Sequence, residues 1–297
     1  MPNIELSPQR LSTFRKVAIG TWRTTYDPSV YGTLRVRMDR AVAYIEAFRE
    51  RTGKRLTITH LAAAALTRAL LKMPDANCVL RFHKLYRRKE VSLSFQVVMS
   101  EGEGQDAQID LSALSLRALD DKSLEQIVDE FNSQLEIVRA RKDVAMEKTR
   151  GNFKKLPTWA IHHVLNVMSW ISYTLNLDLS KLGVPRDPFG SAMVTNIGSL
   201  GMETAYAPLV PYARCPLILA LGAVRDEPVV EDGQVVAGKM MGIHATFDHR
   251  IMDGMHASIM CRVMKQCFED PEGVFGVGAT PPTSPPSAGG SESEPPA

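Results

Sequence analysis

Ala245-Thr-Phe-Asp-His-Arg-Ile-Met-Asp-Gly254 is the stretch that most narrows what this chain can fold into. Residues 241–247 read as a buried strand that stops at Asp248 and His249 and turns into a helix around Asp253 and Gly254. A histidine at a strand end, four residues before an Asp-Gly pair, holds one imidazole nitrogen outward into a cleft. Any fold must therefore place this strand inside a sheet and leave its carboxyl end open.

The rest of the chain alternates strands and helices. Residues 33–38 alternate apolar and polar side chains and predict a half-buried strand. Asp39 is the expected cap of a helix ended by Gly53, and Thr59 that of a second, alanine-rich helix stopped by Pro74. His60, at the start of that helix, reads as a capping or surface residue. Residues 91–99 predict another strand, and Ser123 caps a long amphipathic helix with Leu124, Ile127, Val128, Phe131 and Leu135 on one face. Glu231-Asp-Gly-Gln234 is a hairpin turn in which glycine supplies the positive φ. A last helix, residues 255–268, carries Ile259, Met260, Val263 and Met264 inward, with Cys261 and Cys267 as reduced core thiols.

Residues 156–177 contain no Asp, Glu, Lys or Arg over 22 positions and follow Lys154 and Lys155. That length could just cross a bilayer. Yet His162, Asn166, Ser169, Tyr173 and Asn176 recur at helical spacing as a polar stripe. A helix buried in the fold, an interfacial membrane helix and a true span are all compatible with the pattern. His162 and His163 read as stripe and packing residues.

Composition removes several classes. With 297 residues and 44% hydrophobic side chains, the chain can bury a large core. A net charge of +2 gives no basic footprint for nucleic acid. The four cysteines show neither zinc-site nor disulfide-framework spacing. His244, His249, Asp253 and His256 could be read as a metal cluster. His244 falls within a strand and His256 inside the next helix, so the expectation is no metal. No signal segment is evident, so the expected location is cytoplasmic, or peripheral at a membrane through 156–177. The domain expectation is a loose N-terminal arm (1–10), one catalytic domain (11–275) with a helical insertion at about 150–190, and a disordered tail (276–297) rich in Pro, Ser, Gly and Glu.

Phe247-Asp-His-Arg-x-x-Asp-Gly254 resembles the HxxxDG signature of the acyltransferase catalytic domains of 2-oxo acid dehydrogenase complexes. The resemblance extends to Ser191-Ala-Met-Val-Thr-Asn-Ile-Gly198, which is similar to the family's Ser-Asn-Leu-Gly stretch, and to residues 207–230. It also takes in the helix at 11–22 with its Arg-Lys pair, and the Pro-Asp-Ala-Asn77 turn. The loop from Ser100 to Gln105 departs from the family: it is acidic and lacks a proline. The resemblance implies a chloramphenicol-acetyltransferase-like α/β fold, in α+β two-layer form, with a mixed sheet flanked by helices and an active site at a trimer interface. It implies acyl transfer between coenzyme A and a thiol or other acceptor, with His249 as general base and Thr195 stabilising the tetrahedral oxyanion. Asp253 would pair with Arg15 to hold the His249 loop, and Arg15 and Asn196 would be cofactor-binding positions. Arg250 reads either as part of the same ion-pair network or as cover for the helix end, with the second preferred. The family's lipoyl and subunit-binding domains do not fit into ten N-terminal residues, so a homotrimer or higher assembly is expected to work either with a separate acyl-carrier or lipoyl protein or on a different acceptor. A non-catalytic oligomeric scaffold and a membrane-associated protein for lipid-linked acyl groups stand as alternatives.

Overall fold

A computed structural model of the chain describes residues 2–8, 28–101, 108–140, 142 and 157–276. The strands are β1 (Leu6–Pro8), β2 (Ser29–Arg37), β3 (Cys78–Arg81), β4 (Lys84–Arg88), β5 (Leu93–Glu101), β6 (Gln108–Leu116), β7 (Ala192–Asn196), β8 (Leu217–Leu221), β9 (Arg225–Glu231) and β10 (Gln234–Asp248). The helices are α1 (Asp39–Thr52), α2 (Ile58–Lys72), α3 (Leu124–Arg139), α4 (Thr158–Ser169), α5 (Gly254–Glu269) and α6 (Pro271–Phe275). The main sheet runs β2-β10-β8-β7-β5-β6, with β9 paired to the first half of β10. Its pairs are antiparallel except β5–β7 and β7–β8, so the sheet is mixed.

The strand expected at 241–247 is the second half of one 15-residue strand, β10. Asp232 and Gly233 both take positive φ in the turn before it, which matches the right-handed twist of the two strands they join. Past Met240 the strand is covered on both faces. Met241, Ile243 and Phe247 face the helices, and His244, Thr246 and Asp248 are buried on the other side.

Helices α2 and α5 pack together over the sheet. Ala62, Ala63, Ala64, Ala65 and Ala69 are all buried, and small side chains let the helices approach closely. Phe48, Phe95, Leu66 and Phe268 fill the space between helices and sheet; full burial of each such side chain stabilises by about 1.5–3 kcal/mol. On the opposite face, Met193 and Ile218 turn into a smaller cluster with Leu209, Ala213 and Cys215. The turn at Gly198 lies against the β8–β9 link, where a Cβ on Gly222 would meet the Glu203 carbonyl oxygen at 2.3 Å.

Two caps differ from expectation. Asp39 is the first residue of α1, after Met38, and its carboxylate accepts from Arg37 Nε at 2.6 Å. Thr57, not Thr59, caps α2, and His60 completes its capping box by accepting from the Thr57 backbone N–H at 3.2 Å. A histidine can close a box usually closed by Glu or Gln because Nδ1 reaches back one turn. Ser123 caps α3 as expected.

Residues 2–8 are not a loose arm. β1 pairs with β4, and Asn3 is buried, donating from Nδ2 to Ser172 O at 3.1 Å and accepting from Asp187 N at 3.1 Å. Asn176, at φ 59, brackets Ile4 by accepting its N–H at 2.8 Å and donating to its carbonyl at 2.7 Å. This strand thus fastens the far end of the insertion to the small sheet. Beneath it Arg88 and Asp187 form a buried ion pair at 3.2 Å.

Within the insertion the expected stripe divides. His162 and Asn166 are exposed and bonded to each other at 2.9 Å. Ser169, Ser172 and Tyr173 are buried. The helix widens into a π-turn over Trp170–Thr174, within which Ser172 and Tyr173 are buried, while Leu175 and Leu177 beyond it are exposed. No helix among the described residues is long and apolar enough to cross a membrane.

Candidate active site

His249 is half-buried in the turn that ends β10. Its N–H donates to Pro28 O at 2.8 Å, Asp248 N donates to Pro216 O at 2.9 Å, and Ile251 and Met252 N–H both return to Asp248 O at 2.9 Å. These bonds fix the turn to two neighbouring chain segments. Arg250 does not cover the helix end. It folds back on Asp248 with Nη2–Oδ2 at 2.6 Å and Nε–Oδ1 at 3.0 Å, both side chains being nearly inaccessible to water. The guanidinium turns inward because Asp248 is the carboxylate within reach; Asp253 is occupied elsewhere.

Asp253 caps α5. Its Oδ1 accepts from Met255 N at 3.0 Å, His256 N at 3.2 Å and His256 Nδ1 at 2.7 Å. A carboxylate there is favoured by the positive helix end. Its expected partner Arg15 lies outside the described residues, as do the helix at 11–22, most of the loop at 100–105 and the tail.

Thr195 is half-buried at the carboxyl end of β7. Asn196 beside it is engaged at both ends of its amide: Nδ2 donates to Thr59 Oγ1 at 3.0 Å and Oδ1 accepts from Ser199 N at 3.0 Å. The two residues line a cavity of about 560 Å³ with Thr57, Thr59, His60, Phe95, Phe131 and Tyr206. The capping part of the reading of His60 holds, but the helix starts at Ile58, three residues before the expected Leu61, so Thr59 and His60 line this cavity, which their spacing did not suggest.

The register decides how Thr195 and His249 relate. Thr195 pairs with Ala220, and Ala220 pairs with His244. Thr195 is therefore level with a residue five positions before His249, which places them roughly 16 Å apart along the strands and about 10 Å across them. β7 and β10 run in opposite directions, so their carboxyl ends point to opposite edges of the sheet. The two side chains do not meet within one chain.

His244 and His256 have structural partners. His244 Nε2 lies 2.8 Å from Glu203 O, so it donates there and Nδ1 accepts from Thr33 Oγ1 at 3.0 Å. Thr33 in turn accepts from the Tyr206 hydroxyl at 2.6 Å. Tyr206 thus ties β10 to the wall of the Thr195 cavity, a link with no signal in the sequence pattern. Among the thiols, Cys78, Cys215 and Cys267 are buried, and burial pushes Cys215 and Cys267 up to about 12, far from thiolate reactivity.

The sequence matches the family described as 2-oxoacid dehydrogenases acyltransferase (catalytic domain) over residues 7–154 and 188–276. The gap between the two segments coincides with the insertion. A 91-residue stretch is 46% identical to the dihydrolipoyllysine-residue succinyltransferase component of the 2-oxoglutarate dehydrogenase complex of Cupriavidus necator, covering 31% of this chain and 21% of that protein. Another of 84 residues is 34% identical to the lipoamide acyltransferase component of the branched-chain alpha-keto acid dehydrogenase complex of Pseudomonas putida, covering 28% and 19%. The chain thus aligns with about a fifth of each of these relatives' length. Among solved structures, the cubic core of a pyruvate dehydrogenase multienzyme complex superposes with TM-score 0.60 and 19% identity, covering 90% of this chain and 94% of that one. Azotobacter vinelandii dihydrolipoamide acetyltransferase gives 0.59 and 21%, covering 91% and 93%. The expected chloramphenicol-acetyltransferase-like architecture is the one observed, and the chain belongs to the 2-oxoacid dehydrogenase acyltransferase catalytic-domain family.

Proposed function

We propose that this protein transfers acyl groups between coenzyme A and a thiol acceptor, at a site assembled from two copies of the chain. The observation that carries this reading is the sheet register. It holds Thr195 and His249 at opposite edges, so the pair operates only where the Thr195 edge of one copy meets the His249 edge of another. A head-to-tail contact of that kind closes into a ring, and a homotrimer or a higher assembly of trimers satisfies it.

The chemistry follows from ordinary acidities. A free thiol near pKa 8.5 is mostly protonated at neutral pH, and a neutral imidazole at its edge takes the proton as sulfur attacks the acyl carbonyl. His249 fills that role, steadied by the bonds that pin its turn. Negative charge then develops on the carbonyl oxygen, where a prepositioned hydroxyl lowers the barrier by about 3–4 kcal/mol. The Thr195 hydroxyl supplies that donor. Asn196, with both ends of its amide occupied, sets the position of Thr195 instead of gripping the cofactor directly. Asp253 holds the start of α5 and, with Arg15, the approach to His249. A separate lipoyl or acyl-carrier protein is the natural second substrate, since the matched relatives are components of dehydrogenase complexes.

The test is thiol release from a panel of acyl-CoA thioesters, with and without dihydrolipoamide, for wild type and His249→Ala. Turnover that depends on the acyl chain and falls by roughly 10² or more in the variant supports general-base catalysis. A variant as active as wild type ends the mechanism. Wild type inactive on every thioester and acceptor returns the protein to the scaffold reading.

A further inference from the structure

Away from the acyl-transfer site, two elements are held together into one exposed face. Arg81 Nε donates to the Thr174 carbonyl at 3.0 Å, which joins the tip of the β3–β4 hairpin to the π-turn of the insertion. The same guanidinium lies 5.8 Å from the centre of the Phe82 ring and 5.1 Å from that of Tyr86. Phe82 stands at the hairpin tip with more than half of its surface exposed. Val167, Trp170 and Leu177 each expose half or more. Leu175, whose N–H donates to Trp170 O at 3.0 Å, exposes over a third. A single exposed apolar residue is ordinary, whereas a set of large ones on two joined elements marks an interaction surface.

The hairpin turn adds an independent sign. Phe82 and His83 are the two residues between β3 and β4, and both take positive φ, 45° and 59°. Loops of that shape usually carry Asn or Gly, because a bulky side chain is strained there. Phe82 is held in that conformation yet is more exposed than buried, so core packing does not account for it. The charge around the face has one sign. Residues 76–89 contain no Asp or Glu. Arg87, Arg88 and Lys89 have acids of their own in Asp75, Asp187 and Glu5. Lys84 and Lys181 are exposed and take part in no ion pair among the described residues. Asp178, between Leu177 and Lys181, turns its carboxylate to the Ser180 N–H at 2.8 Å.

We propose that this face docks on an anionic lipid surface. The Phe82 and Trp170 rings and the Leu175 and Leu177 side chains enter the headgroup layer, and Lys84 and Lys181 meet the anionic headgroups. Aromatic and aliphatic tips beside lysines match the boundary between headgroups and acyl chains. The strip at 157–177 offers a protein partner no charge with which to pair, whereas lipid asks only for apolar side chains and nearby cations. A second copy laid on the same face by a two-fold axis would oppose like charges. The Arg81 contacts hold the tips in place beforehand, so docking has little left to order. The π-turn half of the face falls in the gap of the family match, so docking belongs to this chain's own elaboration of the fold. It is independent of acyl transfer.

Flotation of the full chain with two kinds of vesicle reads the docking directly: phosphatidylcholine alone, and phosphatidylcholine with phosphatidylserine in equal parts. Wild type is expected to bind the anionic vesicles about tenfold more tightly than the neutral ones, and to come off at high salt. Lys84→Gln/Lys181→Gln should weaken anionic binding by about tenfold, since each lysine at the surface supplies a several-fold gain. Phe82→Ser/Trp170→Ser should lose binding to a similar degree. The substituted positions lie at the surface, so melting midpoints and thiol release from a soluble acyl-CoA should stay at wild-type values. The lysine variant alters no packed side chain and decides the question where the apolar variant fails to fold. Wild type that floats with neither vesicle, or equally with both, overturns the proposal. Folded variants that float like wild type overturn it too. So does an assembly that falls apart in Phe82→Ser/Trp170→Ser while vesicle binding is unchanged, because the face then belongs to a contact between copies of the chain.

Discussion

Two inactive variants should restore each other. Thr195→Ala removes the proposed oxyanion donor and should cost about 10²–10³ in kcat. His249→Ala removes the proposed base and should cost a similar or larger factor. Within one chain the two side chains are separated by roughly 16 Å along the strands and about 10 Å across them, close to 19 Å in all. Catalysis needs reacting atoms within about 3–3.5 Å, and no rearrangement short of unfolding the sheet closes that gap. In a ring assembled at random from equal amounts of both variants, roughly a quarter of the interfaces pair an intact His249 with an intact Thr195. Co-expressed or co-refolded mixtures should therefore recover about 25% of wild-type thiol release, while each variant alone stays near background. The measurement is activity against mixing ratio, which should peak at equal amounts. Activity that remains at the sum of the two variants refutes the two-copy site, and so does substantial activity in a species shown by light scattering to be a single chain.

Other expectations follow from particular contacts. Asp248→Ala leaves the Arg250 guanidinium buried without its carboxylate and should destabilise the fold by about 3–5 kcal/mol, read from urea denaturation midpoints. Gly222→Ala puts a Cβ 2.3 Å from the Glu203 carbonyl oxygen; backbone must shift, and a loss of about 1–3 kcal/mol is expected in the same assay. Burial pushes His60 down from the ordinary 6.5 to about 4, so the unfolded chain binds the extra proton between those values. Its contribution is full above about pH 6.5 and is lost as pH falls towards 4, by an amount on the order of 3 kcal/mol. His60→Gln keeps the capping geometry and removes the titration, so its denaturation midpoint should fall less steeply across that window.

The strand-to-helix motif was legible because three independent signals coincide there. An apolar run ends abruptly, a histidine follows, and an aspartate caps the helix that begins at Gly254. The Ser123 cap and the hairpin at 231–234 were legible for the same reason: side-chain chemistry and local backbone need agree. What escaped were facts of long range. Nothing near Thr195 in the sequence says that Thr59, some 137 positions away, holds its neighbour Asn196. The inward turn of Arg250 depends on Asp248 being buried where its carboxylate can take the guanidinium, which spacing cannot convey. The polar stripe at 162–176 divides between exposed Asn166 and buried Ser169, because the end of the helix packs into the fold while its start stays at the surface, a long-range fact the period cannot carry.

The amino-terminal strand sets an order of assembly. Asn3 and Ile4 hold partners 169 to 184 positions away, in Ser172, Asn176 and Asp187. Closing so long a loop is unfavourable until the far side is already in place. The edge strand is therefore expected to latch after the insertion has come to rest, and detaching it should let water reach the Arg88–Asp187 pair beneath. Residues 2–8 act as a clasp, the last part to close and the first to open.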